Sequence, residues 1–397
     1  MGAMDSGVGA RLARASERIL ELFGHDDNVT GAAVGYRRRG GKVTDEPVVT
    51  VMVRKKRRPG LVSRRRMIPV EIDVDGTLCP TDVVQARAVL MNANGWPAAL
   101  PEKYRGLRWG SGVSNFSDAE PDAGTLSAIV RDNTDSTIGI LAANHVIADN
   151  NSAPREDPIY QPAVLDRTEE QTAEETQIGR LKRWVRITGG ATAVDAAIAQ
   201  VEAGVRAQRE YSGVELKAPG IRSENPSYPE TRKAIGMVVA GDGFGNVWLT
   251  SMNTTLRELN VTLLPEGSNV ETSAPSAGST LEKVGRTTAY TASVVHATGQ
   301  SITVDVPGVG EVLYTGLIKT QWLAWQGDSG AMVIRKGGSE LADEPLVRES
   351  RARIERLIRE VFDTCEILPA IQFAFNVPIT EDAELSEDRK ASCRERV

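Results

Sequence analysis

A chain of 397 residues with 41% hydrophobic residues, 25% charged residues and a net charge of −6 can bury a large core, and its composition is that of an ordinary globular protein. No run of about 18 apolar residues is present, which excludes a membrane-spanning helix, and the N-terminus lacks a hydrophobic leader. The three cysteines, Cys79, Cys365 and Cys393, lie in unrelated contexts and exclude a disulfide framework. We therefore expect a cytoplasmic protein without a membrane partner.

Apolar residues at helical spacing between residues 9 and 23 predict an amphipathic helix. The segments 28–36 and 47–53 are rich in β-branched residues and predict two strands joined across an Arg-Gly-Gly turn. Segments 67–74 and 81–89 continue this small α+β unit. A looser stretch near residue 97 marks its end.

A basic segment overlaps this unit, since residues 37–66 hold twelve lysines and arginines against Asp45 and Glu46. Such a cluster can contact a polyanion, or it can form the solvated face and turn of a hairpin, which we favour. No aromatic residues are interleaved with the charges, so stacking on single-stranded bases has no support. Nucleic acid is therefore not expected as a partner.

Beyond residue 105 the chain predicts short strands separated by Gly, Asn, Asp and Pro, a pattern typical of β-barrels and sandwiches. A pair of strands is predicted at 125–131 and 137–143, with a turn at 132–135. A polar loop is predicted at 150–177. Further strands are predicted at 193–201, 234–240, 247–251, 293–297, 302–306 and 312–318, and a helix at 351–362.

Ser329 is the candidate nucleophile, in the sequence Gly-Asp-Ser-Gly at residues 327–330. A glycine two residues before a serine lets the backbone turn, so that both N–H groups point at one spot. That is the geometry of an oxyanion hole, and it assigns Gly327 and Ser329 as its donors. The same four residues are also compatible with a surface turn.

His145 is the candidate base because it directly follows an apolar strand that can hold it at a strand end. The other two histidines, His25 and His296, lie in a turn and within a strand. Asp195 lies in the apolar segment 193–199, where a carboxylate is costly unless it is paired. Facing His145, it would orient the imidazole ring. The plainer alternatives are a packed polar histidine and an aspartate on the solvent face of an edge strand.

In the order His145, Asp195, Ser329, these residues resemble the catalytic triad of the chymotrypsin-like serine proteases rather than the Ser-Asp-His order of α/β-hydrolases. Ala-Ala-Asn-His-Val at 142–146 and Val-Asp-Ala-Ala at 194–197 are similar to that family's histidine and aspartate boxes. The resemblance implies a mostly-β fold, a double six-stranded β-barrel, with a small N-terminal α+β module and a C-terminal helix insertion. It also implies a serine endopeptidase acting on protein or peptide through an acyl-enzyme, with no cofactor and no metal.

A narrower resemblance covers residues 28–335. Segments 29–31, 51–53, 68–70 and 81–84 resemble the N-terminal module of intracellular trypsin-like proteases, which include many bacterial proteins and the plant narrow-leaf protease. On this resemblance the chain divides into the N-terminal α+β module with the basic segment at 1–95, the first protease barrel at 105–204, the second protease barrel with insertions at 205–385, and a tail at 386–397.

The sequence Gly-Arg-Thr-Thr at 285–288 resembles a segment of bacterial members such as alpha-lytic protease and the streptogrisins. The resemblance implies that Arg286 pairs with Asp328 and supports the oxyanion hole without cleavage of the chain. Otherwise Arg286 is an exposed arginine in a hairpin. Counted back from Ser329, Leu323 and Ala324 would line an uncharged specificity pocket that suits an apolar or small side chain.

Two departures from the family pattern stand out. Asp195 and Ser329 are 134 residues apart, which indicates an insertion within 205–280. The strand that should pair with substrate is not obvious after Ser329. Segment 370–376 could supply it, and segment 234–241 also looks like it although it precedes the serine.

The alternative function is a non-catalytic protease-fold module that binds nucleic acid or a nucleotide through the basic segment. A cytosolic protease must be restrained by target choice, assembly or an activator. A homo-oligomer or a regulatory partner therefore stays open.

Overall fold

β-Strands predominate in the computed structural model and form two large sheets, of twelve and eight strands. None of the helices in the described ranges is both long and apolar enough to cross a bilayer. The described residues are 6–39, 42–58, 61–85, 88–91, 93, 96, 98–99, 106–107, 109–115, 122–207, 232–242, 245–264, 270–272, 275–336 and 344–363.

The N-terminal part is one helix packed on four strands. Leu12, Ala15 and Ile19 form a buried stripe on the helix, as its apolar spacing predicts, and pack with strand residues such as Val49 and Val51. The first two strands are an antiparallel hairpin, and the first strand also pairs with a strand of the second barrel at Gly31 to Ile302. These elements are α1 (Ser6–Phe23), β1 (Val29–Arg39), β2 (Lys42–Val53), β3 (Glu71–Val74) and β4 (Thr77–Gln85).

The remaining elements are mostly short strands. Up to residue 207 they are β5 (Val89–Leu90), β6 (Gly106–Leu107), β7 (Gly112–Asn115), β8 (Gly124–Thr125), β9 (Ala128–Asp132), β10 (Ile138–Ala142), α2 (Asn144–Ile147), β11 (Pro158–Tyr160), α3 (Ala173–Thr176), β12 (Gln177–Trp184), β13 (Ala191–Thr192), β14 (Ala197–Val201) and β15 (Arg206–Ala207). Beyond it they are β16 (Arg232–Gly241), β17 (Asn246–Ser251), α4 (Met252–Leu259), β18 (Val261–Leu263), β19 (Thr280–Gly285), β20 (Ala289–Val306), β21 (Gly310–Gln321), β22 (Met332–Lys336) and α5 (Glu344–Asp363).

The eight-stranded sheet runs in the order β18-β9-β10-β14-β12-β11-β7-β8. Its pairs are antiparallel, and the predicted hairpin with its turn after residue 131 is confirmed as β9 and β10. The expectation of a loop over 150–177 is wrong in part, because β11 lies within it and pairs with β12 and β7. The core of this sheet is built from fully buried aliphatic residues such as Val130, Leu141, Leu181 and Ile198.

Six strands of the twelve-stranded sheet close into a ring in the order β19-β20-β21-β17-β16-β22 and back to β19. In chain order, β16 and β17 come before β19 and lie within the segment 205–280, where the sequence indicated an insertion. The segment therefore contributes two strands to the ring, and it accounts for the long separation between Asp195 and Ser329. β16 pairs with β22, the strand that directly follows Ser329, so segment 234–241 lies beside the serine. The other candidate, segment 370–376, lies outside the described residues.

The mostly-β fold class predicted from the sequence is confirmed, and the described strands form one closed six-stranded ring and one eight-stranded sheet. The two predicted strands 293–297 and 302–306 are one long strand, β20, whose register shifts against β21 within that span. The C-terminal helix is confirmed as α5, which begins earlier than predicted and contacts β20. The predicted tail 386–397 lies outside the described residues.

Candidate active site

The three residues predicted to form a triad lie where two paired strands and one turn converge. β10 and β14 are antiparallel and pair Ala142 with Ala197, so the end of one lies beside the start of the other. His145 follows β10 within α2, and Asp195 lies two residues before β14. Ser329 lies in the turn before β22. Asp195 is therefore not in the middle of a strand, as the sequence indicated, but at its entrance.

The three side chains form one continuous hydrogen-bonded chain. His145 Nδ1 lies 2.6 Å from Asp195 Oδ2, and His145 Nε2 lies 2.6 Å from Ser329 Oγ. The backbone N–H of His145 also donates to Asp195 Oδ1 at 3.2 Å. With Nδ1 protonated towards the carboxylate, Nε2 is free to accept the hydroxyl proton of Ser329.

Asp195 is almost fully buried, and its charge is stabilised by its neighbours. Burial alone would raise the pKa of Asp195, but the adjacent His145 and the hydrogen bonds that the carboxylate accepts hold that pKa below its ordinary value. One of these bonds comes from the Tyr314 hydroxyl at 3.1 Å. Burial and the charge of Asp195 raise the pKa of Tyr314 well above its ordinary value, so the phenol remains a donor.

Two asparagines fix the segment that carries His145. Asn144 donates from its amide to Asn151 Oδ1 at 3.0 Å and to the carbonyl of Val185 at 2.7 Å. Asn151 in turn bonds both backbone groups of Ile187. Sequence reasoning assigned no role to Tyr314, Asn144 or Asn151. The position of Asn144 directly before His145 is a signal for that residue, whereas Tyr314 is distant in sequence from the three site residues and gave none.

The turn that presents Ser329 depends on glycine at position 327. Gly327 has φ of +90°, and a Cβ there would lie 2.2 Å from Thr287 Oγ1. Thr125 braces the turn, since its hydroxyl donates to the Gly327 carbonyl at 3.1 Å and its N–H donates to the Ser329 carbonyl at 2.7 Å. The N–H of Gly327 is thereby directed into the cleft.

The predicted ion pair between Arg286 and Asp328 is wrong. Lys283 takes that place, with its Nζ 2.9 Å from Asp328 Oδ2 and both side chains fully buried. Asp328 also accepts from the backbone N–H groups of Thr287 at 3.0 Å and Thr288 at 3.2 Å. The physical reason is a close approach, because a Cβ on Gly285 would lie 2.3 Å from Asp328 Oδ1. The carboxylate is thus packed against the backbone of the turn, with the lysine of β19 beneath it.

Arg286 instead forms a buried two-pronged pair with Asp166, donating from Nε at 2.7 Å and from Nη2. Its Nη1 donates to the carbonyl of Trp96 at 2.9 Å, and its carbonyl accepts from Ala99 N–H at 2.8 Å. Arg286 is therefore not an exposed hairpin residue. It connects the turn after β19 with Asp166, Trp96 and Ala99.

The cleft beside Ser329 holds a segment of this chain. β5 pairs antiparallel with the end of β16, and the Met91 N–H donates to the Val239 carbonyl at 3.2 Å. The Gly327 N–H, an expected oxyanion donor, donates to the Met91 carbonyl at 2.7 Å. The two residues predicted for the specificity pocket, Leu323 and Ala324, are fully buried in the same apolar cluster as Met91. No group of three or more His, Cys, Asp or Glu side chains in the described ranges is arranged to hold a metal ion.

The N-terminal part of the chain is similar to a known family. A model described as the NARROW LEAF 1 N-terminal domain matches residues 17–84. No curated protein matches the chain.

Among solved structures, the chain is similar to the Nocardiopsis protease NAPase at 14% identity, over 58% of this chain and 78% of that one, with a TM-score of 0.32. It is similar to the Cellulomonas bogoriensis chymotrypsin at 17% identity, over 57% and 75%, with a TM-score of 0.28. It is also similar to Thermobifida fusca protease A at 10% identity, over 62% and 95%, with a TM-score of 0.27. Similarity this distant does not establish an activity, which has to be inferred from the site itself.

Proposed function

We propose that this protein is a serine endopeptidase that hydrolyses peptide bonds through an acyl-enzyme on Ser329. The observation that carries the proposal is the chain of two 2.6 Å contacts from Asp195 through His145 to Ser329 Oγ. A base within hydrogen-bond reach of a hydroxyl, itself oriented by a buried acid, is what activates a serine for attack. A surface turn with the same four residues would need none of these contacts.

In the proposed reaction, Ser329 Oγ attacks the substrate carbonyl carbon while His145 Nε2 takes the hydroxyl proton. Asp195 stabilises the imidazolium that forms, and the N–H groups of Gly327 and Ser329 bind the oxyanion. His145 then gives the proton to the leaving amine, which leaves an ester on Ser329. Water, activated by His145 in the same way, hydrolyses this ester and restores the enzyme.

The oxyanion turn is supported from within the chain. Lys283 neutralises Asp328 beneath the turn, and both are inaccessible to solvent. Because Lys283 already supplies the positive charge that Asp328 needs, no N-terminus released by cleavage is required to pair with it. The proposed oxyanion hole therefore forms in the uncleaved chain. This is the role that the resemblance assigned to Arg286, now transferred to Lys283.

The proposal is tested with a fluorophosphonate probe, which forms a covalent adduct with an activated serine. Prolonged incubation is expected to give an adduct that peptide mapping places on Ser329, and Ser329→Ala is expected to give none. The matched control is Ser127→Ala, a buried serine whose hydroxyl finds no hydrogen-bond partner among the described residues, and it should label like the wild type. An adduct on the Ser329→Ala chain would refute the assignment.

A further inference from the structure

The backbone of Val89, Leu90 and Met91 lies in the cleft as a substrate would. Val89 and Leu90 pair antiparallel with Gly241 and Ala240 at the end of β16. Past the triad, the N–H of Ala93 donates to the carbonyl of Ala123 at 3.0 Å, on the side of the first barrel. The described residues on either side of position 92 are therefore hydrogen-bonded to two different parts of the fold, Met91 to β16 and Ala93 to Ala123.

The Met91 carbonyl lies where a scissile carbonyl must lie. It accepts from the Gly327 N–H at 2.7 Å, the group that would stabilise the oxyanion. The Met91 N–H is bonded at the same time to the Val239 carbonyl of β16. Two bonds on either side of one residue fix its carbonyl in the hole, as cleavage on its C-terminal side requires.

The Met91 side chain fills an apolar pocket. It is 3% exposed and packs in the cluster that contains Leu323 and Ala324. The free space left beside it is about 10 Å³, hardly enough for one water. A Cβ on Gly241 would lie 3.1 Å from Met91 Sδ, so a larger residue in this pocket wall would crowd the side chain.

The segment is clamped on its C-terminal side. Arg286 holds the Trp96 carbonyl, and the Trp96 ring meets Trp325 edge to face at 5.7 Å between centroids. Ile354 of α5 is buried in the same cluster.

Ser329 is 0% exposed and His145 is 2% exposed, so the triad is covered while the segment is in place.

We propose that the protease takes extended peptides with methionine, or an apolar side chain of similar shape, immediately before the scissile bond, and that residues 89–91 are a built-in peptide of this class that occupies the cleft and restrains the enzyme. This inference rests on the proposed function. Because the segment is tethered, it competes with external peptides at an effective concentration in the millimolar range. External substrate therefore has to displace residues 89–91 before Ser329 can react.

The test compares Met91→Asp with the wild type and with Met67→Asp, which places the same charge at a methionine that is 39% exposed and distant in sequence from the cleft. A charge cannot stay in the apolar pocket, so the segment should leave it, and losing a buried methionine side chain weakens its hold by about ten- to a hundredfold. Fluorophosphonate labelling of Ser329 should accelerate by at least about tenfold in Met91→Asp and not in Met67→Asp. Met91→Gly, which removes the side chain without adding charge, gives a second reading if the aspartate variant fails to fold.

Peptide specificity is measured on the opened variant. A coumarin substrate with the sequence Ala-Val-Leu-Met, that of residues 88–91, should be hydrolysed at least about tenfold faster than the same peptide ending in Lys. Equal labelling rates in wild type and both Met91 variants, or a preference for Lys, would overturn the inference and leave the protease intact. Absence of any Ser329 adduct in the wild type and in both Met91 variants would instead overturn the proposed function.

Discussion

Lys283 and Asp328 form an ion pair in the interior of the second barrel, directly beneath the oxyanion turn. Burial lowers the pKa of Lys283, and Asp328 opposes that change by stabilising the ammonium. Removing one member of such a pair leaves an uncompensated charge, which commonly costs about 3–5 kcal/mol. The pair therefore connects the stability of the fold to the geometry of the catalytic turn.

Lys283→Met is expected to lower the melting temperature and to slow labelling of Ser329 by about a hundredfold, because the turn that aims the Gly327 N–H loses its support. Thermal unfolding and the labelling rate are measured together. The double variant Lys283→Met/Asp328→Asn removes the buried charge that remains and should recover part of the lost stability. Wild-type values for both quantities in the single variant would show that the pair does not hold the turn.

At this scale the sequence predicted His145, Asp195 and Ser329, because three histidines and one Gly-Asp-Ser-Gly motif leave few combinations. It did not predict Lys283 as the partner of Asp328. Lys283 lies in β19 and Arg286 is the first residue of the turn that follows it, and which of them reaches Asp328 depends on the direction in which each side chain points. That choice is set by packing, including the close approach at Gly285, and not by the motif.

At the scale of elements, Asp132 is the centre of a polar cluster that joins β9, β12 and α4. It lies at the end of β9 and receives Lys182 and Arg183 from β12, while the Arg183 guanidinium also donates to the Leu259 carbonyl at the end of α4. Burial alone would raise the pKa of Asp132, but the bonds from Arg183, Lys182 and Thr134 hold it far below its ordinary value. The side chain is 2% exposed, so solvent screens these charges little.

Asp132→Asn is expected to lower the free energy of unfolding at pH 7 by about 1–3 kcal/mol, since it weakens charged hydrogen bonds. Because the folded-state pKa is lowered, the contribution of Asp132 is complete above the unfolded-state pKa of about 4 and is lost as the pH falls towards the folded-state pKa. Denaturant unfolding of both proteins at several pH values measures this. Asp135→Asn, at an exposed neighbour of Lys182, is the control and should change much less. A difference between Asp132→Asn and wild type that grows on acidification would contradict the argument.

Element prediction succeeded where the local pattern and the tertiary structure agree. The apolar stripe of α1 and the β-branched runs of β1, β2, β9 and β10 are local signals, and these elements formed as predicted. Segment 150–177 is polar, yet β11 forms there because β7 and β12 supply its backbone partners. Such a strand is stabilised by pairing with distant segments, and the local sequence pattern carries no information about these partners.

At the scale of the whole molecule, the six-stranded ring could not be read from the sequence, since strand order depends on pairings between distant segments. The sequence of β16 resembles that of the strand expected beside the serine. However, β16 precedes Ser329 in the chain, whereas the family pattern places that strand after the serine. The structure places it next to β22, and its last residues form the edge on which Val89–Leu90 lies. In the chain, β16, which forms the proposed substrate edge, therefore precedes the proposed nucleophile Ser329, and the built-in peptide precedes both.

Arg286 joins these parts of the molecule, and its expected effect differs from that of Lys283. Arg286→Met breaks a buried pair with Asp166 and should lower the free energy of unfolding by about 3–5 kcal/mol. It also frees the Trp96 carbonyl, so the built-in peptide should leave the cleft more often and labelling of Ser329 should become faster. Arg257→Met, which removes a 69% exposed arginine paired with Glu258 on the surface of α4, is the control for loss of an arginine. If Arg286→Met is labelled more slowly than the wild type at a temperature where it is fully folded, the prediction is wrong. Arg286 would then support the oxyanion hole, as the sequence resemblance implied.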